Sequence, residues 1–497
     1  MPPPRTPARK PRTATPDTPP AAATPQASAS GDLPPPRAEA QDIGDDLPPP
    51  RTTTRKSRAA PSEATPTTIT PQAATVDDLP PPNARSRKST GRGFTPTLKY
   101  GMDDLLLEAG ALPFTSQADA YYTLRAAAYV EWQPSREWEF RGGARIDGAS
   151  QAGGTTDFTD LLADYTDTYV RYRSGDTRLT LGAQTVIWGR VDEVPLIDRV
   201  SRVDLTRFVL DGLPDRRRAQ LAARWEQNFG EYKLDALWLP AFRGAQLPDL
   251  NSVWSPINQS TGEVIGIAPS PAITSLVQAA TINQSQNQFG YGDGGGGARL
   301  TRTGDAFDLG FTLARTRQSL PYYVINTSVP SLTATHPYNN FAGADAEFVT
   351  GAYTWRMELG YTGNVPATLP NAATIYTSAI DWVGAVEFFP GGKDTRINLQ
   401  VAGHTLQTGQ TVLELDEYYG VNGEINTTFD QGRWNAGIKF ASGINVNNVY
   451  IGPRISYRGW EPHEIYLAAY YFDGEDGTVF GFHKDHSYLS LGWRGEF

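Results

Sequence analysis

The 497-residue sequence contains no cysteine, which excludes disulfides, thiolate metal sites and cysteine nucleophiles. It contains no run near the ~20 consecutive apolar residues that a membrane-spanning helix requires. Histidine is scarce: His336, His404, His463, His483 and His486 are the whole supply. His483 and His486 stand close together, but two histidines at that spacing make a weak metal motif. No serine is set beside His404. The constellation that catalysis needs is missing, so the expectation is no enzyme, no metal and no cofactor. The first 93 positions also lack Phe, Tyr and Trp.

From about residue 95 to Phe497, apolar and polar residues alternate between tight turns. In the last segment Leu489, Leu491, Trp493 and Phe497 share one parity, and Ser490, Gly492, Arg494 and Glu496 the other. A period of two sends successive side chains to opposite faces of a strand. One face carries large aromatics, and the other carries charges that a packed core would not tolerate. The pattern predicts an all-β fold: a closed antiparallel transmembrane β-barrel over residues 95–497, with the lipid bilayer outside and water within. A mean hydropathy of −0.43 fits, because only alternate residues of a barrel wall face lipid. Many of the 23 Tyr, 20 Phe and 11 Trp fall near predicted strand ends, as interfacial girdles would. Soluble sandwich domains would instead require the two outer faces to be buried against each other.

Residues 1–94 read as a disordered arm rich in Pro, Thr, Ala and Ser, with too little apolar surface to offset ordering entropy. Asp32-Leu33-Pro34-Pro35-Pro36 recurs as Asp46-Leu47-Pro48-Pro49-Pro50 and as Asp78-Leu79-Pro80-Pro81-Pro82. Basic clusters, Arg55-Lys56-Ser57-Arg58 and Arg85-Ser86-Arg87-Lys88, follow the second and third copies. Proline triplets favour polyproline II, which suits spacing or docking. The arm is expected to be a solvated linker, or a periplasmic tether to the cell wall or a partner. Residues 1–93 hold 13 Lys/Arg and 9 Asp/Glu, a net of +4, so the remainder carries −14 of the total of −10. So acidic a body argues against nucleic-acid binding. No secretory signal is visible after Met1-Pro2-Pro3-Pro4-Arg5; the expectation is a trimmed signal or a mis-assigned start.

Gly-, Pro- and Asp-containing turns cut the body into eight hairpins: 120–133/137–150, 164–173/177–190, 216–229/231–243, 297–303/307–319, 341–350/352–363, 375–389/395–408, 423–430/433–443 and 447–459/462–473. A last strand, 484–497, and a first one within 98–107 bring the count to 18; without the first, 16 is the alternative. The long connections, 191–215, 244–296, 320–340, 364–374 and 409–422, belong on the external side and the short turns on the periplasmic side.

Alternation then sorts the wall. Trp138, Phe140, Ile146, Leu179, Leu181, Ile187, Leu221 and Trp225 are expected to face lipid. The predicted pore-lining residues are Arg141, Arg145, Arg171, Arg173, Arg178, Arg190, Arg216, Arg218, Arg224 and Arg396. Guanidinium stays charged at any working pH and grips carboxylates and phosphates in a fork, and such rings favour anions. The competing expectation is mutual pairing with Glu139, Asp147 and Glu226, which only stiffens the wall. In the first long connection Asp192, Asp198 and Asp204 recur every six residues between arginines. The spacing is not that of a calcium loop, and a folded element at the barrel mouth is expected. The second connection ends in Gly294-Gly295-Gly296-Gly297 and reads as a lid, a constriction or an open surface loop.

Trp188-Gly189-Arg190-Val191-Asp192, Asp204-Leu205-Thr206, Trp238-Leu239-Pro240-Ala241-Phe242 and Leu247-Pro248 resemble a group of porin-like proteobacterial outer-membrane proteins, similar in plan to alginate-export barrels. The resemblance covers about 120–260 by motif and 95–497 by plan. It implies 18 strands, an arginine-rich path for anions and no particular substrate residues. The strand ending at Phe497 is similar to the signal read by the barrel-assembly machinery, although Gly495 stands where an aromatic is more usual. The expected function is a channel in the outer membrane of a Gram-negative bacterium that passes polar, anionic solutes or polymer. The alternative is a structural envelope anchor or adhesin held through the arm.

Overall fold

The computed structural model describes residues 94–284, 294–392, 394–495 and 497. The arm, Phe94 excepted, lies outside the described residues. Eighteen antiparallel strands form one closed barrel. They are β1 (Thr97–Ala111), β2 (Ala120–Gln133), β3 (Trp138–Ala152), β4 (Phe158–Tyr165 continued by Thr168–Ser174), β5 (Thr177–Gln184) and β6 (Gln220–Phe229). Next come β7 (Tyr232–Leu239), β8 (Gly295–Arg302), β9 (Phe307–Arg317), β10 (Tyr338–Thr350), β11 (Tyr353–Thr368) and β12 (Thr374–Phe388). The circuit ends with β13 (Thr395–Leu406), β14 (Glu417–Phe429), β15 (Trp434–Gly443), β16 (Asn448–Trp460), β17 (His463–Gly474) and β18 (Tyr488–Gly495). Each strand pairs with the next, and β18 pairs back onto β1, from Leu105 opposite Gly495 to Ala111 opposite Leu489. Met102 and Phe497 extend that seam by exchanging both backbone hydrogen bonds, at 2.8 and 3.2 Å. The segment before residue 120 is therefore a full strand, and the count is 18 rather than 16.

The two faces separate as the period of two requires. Trp138, Ile146, Leu179, Leu181, Leu221 and Trp225 are exposed on the outer wall, while Glu139, Arg145, Arg178 and Glu226 are buried inside it. Aromatic rings meet at the rim of short turns: Trp132 with Phe140 (5.3 Å between centroids), Phe307 with Phe348 (5.4 Å), Tyr353 with Phe388 (5.3 Å) and Trp434 with Tyr457 (4.9 Å). At Gly175, Gly230 and Gly351 the first residue of a two-residue turn has φ of 56°, 66° and 61°. Glycine reaches that left-handed conformation without a steric penalty.

Three expectations are corrected. β5 ends at Gln184, not at 190, and β6 begins at Gln220, not at 216, so the first long connection spans 185–219. Ile187, Arg190, Arg216 and Arg218 consequently leave the wall, and Ile187 does not face lipid. The described part of the second long connection is folded rather than an open surface loop. It holds a ribbon (Ile257–Asn258 with Glu263–Val264) and helix α1 (Pro271–Ala279), whose Ser270 cap accepts the Ile273 N–H at 3.3 Å. It also holds Thr281–Asn283, which pairs in parallel with Ser331–Thr335. Ile257, Val264, Ile273, Val277, Leu332 and Ala372 give these loops a small core of their own. β8 begins at Gly295, not at 297, and Gly295, Gly296 and Gly297 are paired on both sides.

The inner face is also less polar than expected. Tyr121, Tyr450, Tyr466, Tyr470, Phe472 and Tyr488 point inward and pack with Phe208, Trp254 and their neighbours into one buried cluster.

Candidate functional site

The connection 185–219 folds into the barrel, and the cause lies in its first residues. Trp188 is buried, and its indole N–H donates to Asp235 on β7 at 2.9 Å. Gly297 of β8 has no Cβ to obstruct that ring; one placed there would stand 3.1 Å from it. Gly189 has φ of 111°, and a Cβ on it would lie 2.7 Å from the Glu358 carboxylate of β11. Only glycine allows both. The chain then wraps around Glu358, which accepts backbone N–H groups from Arg190, Val191 (3.0 Å), Leu196 (2.9 Å) and Ile197 (3.1 Å). One inward carboxylate thus collects the orphan donors of a whole turn.

Beyond that clamp the inner loop crosses the bore by ion pairs. Asp192 binds Arg396 and Asn398 on β13, and Glu193 binds Lys439 on β15 at 2.8 Å. Asp198 pairs with Arg217 (2.8 Å) inside the loop. Asp204 receives Arg145 from β3 (3.1 Å) and Arg218 (2.8 Å). Asp211 receives Arg125 from β2 (2.7 Å) and Arg207 (2.6 Å), and Asp215 receives Arg494 from β18 (3.0 Å). Arg207 also binds Glu108 of β1. The loop is therefore tied to opposite walls.

The predicted arginines fall into distinct settings. On the wall, Arg141 pairs with Asp103 (2.9 Å) and Arg171 with Glu139 (2.9 Å). Arg173 also pairs with Glu139 (3.0 Å), Arg178 with Glu226, and Arg224 with Asp235. Arg190 reaches from the loop to Asp345 of β10 at 2.6 Å. Arg145 and Arg218 share Asp147 and Asp204. Half-buried Arg216 makes no ion pair among the described residues. Breaking one buried pair of this kind costs about 3–5 kcal/mol, because the survivor stays charged in a poor solvent.

Water reaches Arg173, 32% exposed, and further cations on later strands. The side chains of Arg396, Lys439, Arg454, Arg458 and Arg494 are 28–37% exposed, against 2% for Arg125 and Arg218. Arg454 and Arg458 share Glu464 at 3.0 and 3.2 Å, and Arg454 lies over the Tyr466 ring at 3.7 Å. The four beyond Arg396 sit on β15, β16 and β18, past the strands on which the arginine pattern was first conspicuous. Their signal was the same alternation, Tyr450-x-Gly452-x-Arg454-x-Ser456-x-Arg458.

At the long-loop end the loops pack together in an aromatic cluster. Phe208 of the inner loop stacks on Trp254 of the second long connection (6.4 Å) and on His483 (4.2 Å), next to the short helix α2 (Val479–Phe482). His483 and His486 place their Nδ1 atoms 2.9 Å apart, both buried. Burial pushes both imidazoles below their usual range, His486 to about 4. Among the described residues no cluster of His, Asp and Glu forms a metal site.

No family model matches the chain, and no curated protein matches it in sequence. Solved structures of similar shape include OccAB1 of Acinetobacter baumannii, with 10% identity and a TM-score of 0.48 over 83% of this chain and 99% of that one. OccK5 (OpdH) of Pseudomonas aeruginosa gives 9% identity and a TM-score of 0.46 over 80% and 98% of the two chains. OmpT, an outer-membrane protein of Vibrio cholerae, gives 9% identity and a TM-score of 0.38 over 82% and 99%. At these values the likeness carries nothing about solute or transport.

Proposed function

We propose that the protein is a porin-like channel of a Gram-negative outer membrane, passing polar solutes with a bias towards anions. The observation that carries this reading is the strip Arg396, Lys439, Arg454, Arg458 and Arg494, whose cations are each paired with a carboxylate yet stay about a third exposed to water beside an inner loop pinned across a closed barrel. The N–H groups of these cations that water still reaches are donors for a passing anion, and the loop narrows the passage. The kinship in plan with alginate-export barrels belongs to this proposal and is supported by 18 strands and abundant arginine. So does delivery to the membrane by the barrel-assembly machinery through the strand ending at Phe497.

Planar-bilayer recording on the full chain tests the function. Discrete conductance steps with a reversal potential displaced towards the anion in a salt gradient are expected; silence, or clear cation preference, overturns it. The three Asp-Leu-Pro-Pro-Pro copies favour a second role as an envelope anchor. Removing residues 1–93 leaves a channel's conductance intact but abolishes attachment to sedimented cell wall.

A further inference from the structure

The outer wall carries a furrow at the long-loop end of β9, β10 and β11. A groove of about 450 Å³ is lined by Gly296, Leu313, Arg315, Asn340, Ala342 and Tyr361. Strand register explains its shape. Arg315 stands between Gly296 on one side and Asn340 on the other, with Gly363 next in the row, so nothing bulky crowds the guanidinium. One rung nearer the middle of the wall, Leu313 stands opposite Ala342, and Ala342 opposite Tyr361. Two large apolar side chains thereby wall a floor that is only a methyl group deep. Leu313 and Tyr361 are exposed, and Arg315 is exposed with them.

The cation at the head of the furrow is unusual for this protein. Most other wall arginines meet a carboxylate, whereas Arg315 meets none among the described residues; its described contact is the Tyr338 ring at 5.2 Å. Arg317, two residues on, lies over the same ring at 4.3 Å. An apolar slot beneath an uncompensated guanidinium matches an amphiphile with an acyl chain and an anionic head. The long-loop end is the external end of an outer-membrane barrel, and phosphate suits a guanidinium fork.

We infer that this furrow is a binding site for lipid A, with one acyl chain between Leu313 and Tyr361 over Ala342 and a glucosamine phosphate on Arg315. The inference rests on the outer-membrane reading above. Native mass spectrometry of the full chain in detergent, titrated with lipid A, dephosphorylated lipid A or phosphatidylglycerol, tests it. Lipid A is expected to bind the unaltered chain, with affinity falling about tenfold in R315E and on removal of the phosphates, the loss of one charge-assisted contact. A342W, which fills the slot and keeps the charge, is expected to lose lipid A as well. Equal retention by both variants, no preference over phosphatidylglycerol, or a second copy of the chain seated on this face overturns the inference. Conductance of both variants is expected to be unchanged, so a channel that fails to conduct overturns the functional reading separately.

Discussion

Glu358 shows how much one inward side chain can organise. Its carboxylate holds four N–H groups of the inner loop, and those that are buried cost ~1–3 kcal/mol each if left without an acceptor. Glu358→Ala is expected to release the loop from β11, with larger and noisier single-channel conductance and new protease cleavage within 190–215. Glu358→Gln, which keeps one acceptor oxygen, should fall between. Traces identical to those of the unaltered chain would show that the clamp does not govern the bore. The histidine pair makes a second prediction. In the docked loop both imidazoles are neutral, one donating to the other, and both are held below the free value of 6.5. As pH falls through 6.5 the undocked loop takes up protons that the docked loop refuses, so docking weakens down to about 4, where His486 itself titrates. Each unit in that window costs ~1.4 kcal/mol per histidine. Trp254 fluorescence should therefore shift to the red between pH 6.5 and 4, and His483→Phe with His486→Phe should flatten the transition.

At the scale of elements, the inner loop depends on a backbone conformation that one substitution removes. Gly189→Ala meets both a φ of 111° and the Glu358 carboxylate, a strain of ~1–3 kcal/mol. The expected result is a loop accessible to protease around an unaltered barrel, read by limited digestion alongside the amide infrared band. The same contrast explains what the sequence made legible. A strand declares itself because its period of two is written into neighbouring residues, so the hairpins and the outward faces of β3, β5 and β6 could be read directly. The loop is held by partners far away in the chain: Asp192 meets Arg396, and Glu193 meets Lys439. No local pattern encodes those meetings, and β5 was therefore drawn six residues too long. The inward aromatics were legible in principle. Tyr466 and Tyr470 share the parity of Glu464, and Tyr488 shares that of Ser490 and Arg494.

For the whole molecule, the buried arginines and the wetted ones should differ in effect. Arg454→Gln with Arg458→Gln alters charges that are about a third exposed but leaves Glu464 without a cation, so stability should fall modestly, while the reversal potential in a salt gradient should move towards the cation. Arg178→Gln removes the nearest of three cations on buried Glu226, leaving Arg224 and Lys233. It should lower the melting temperature and leave selectivity almost unchanged. If the exposed pair alters stability alone, the basic strip has no part in passage.

The pairing of β18 with β1 makes the earliest and latest strands of the barrel immediate neighbours. Until these two strands meet, two raw borders offer unpaired N–H and C=O groups to any passing ribbon. Bringing them together closes a circuit of ~400 residues, for which entropy grows only logarithmically with length but must be met before the final contacts form. The cylinder can shut only once both of these strands are present, and until they meet its margins are open to wrong partners.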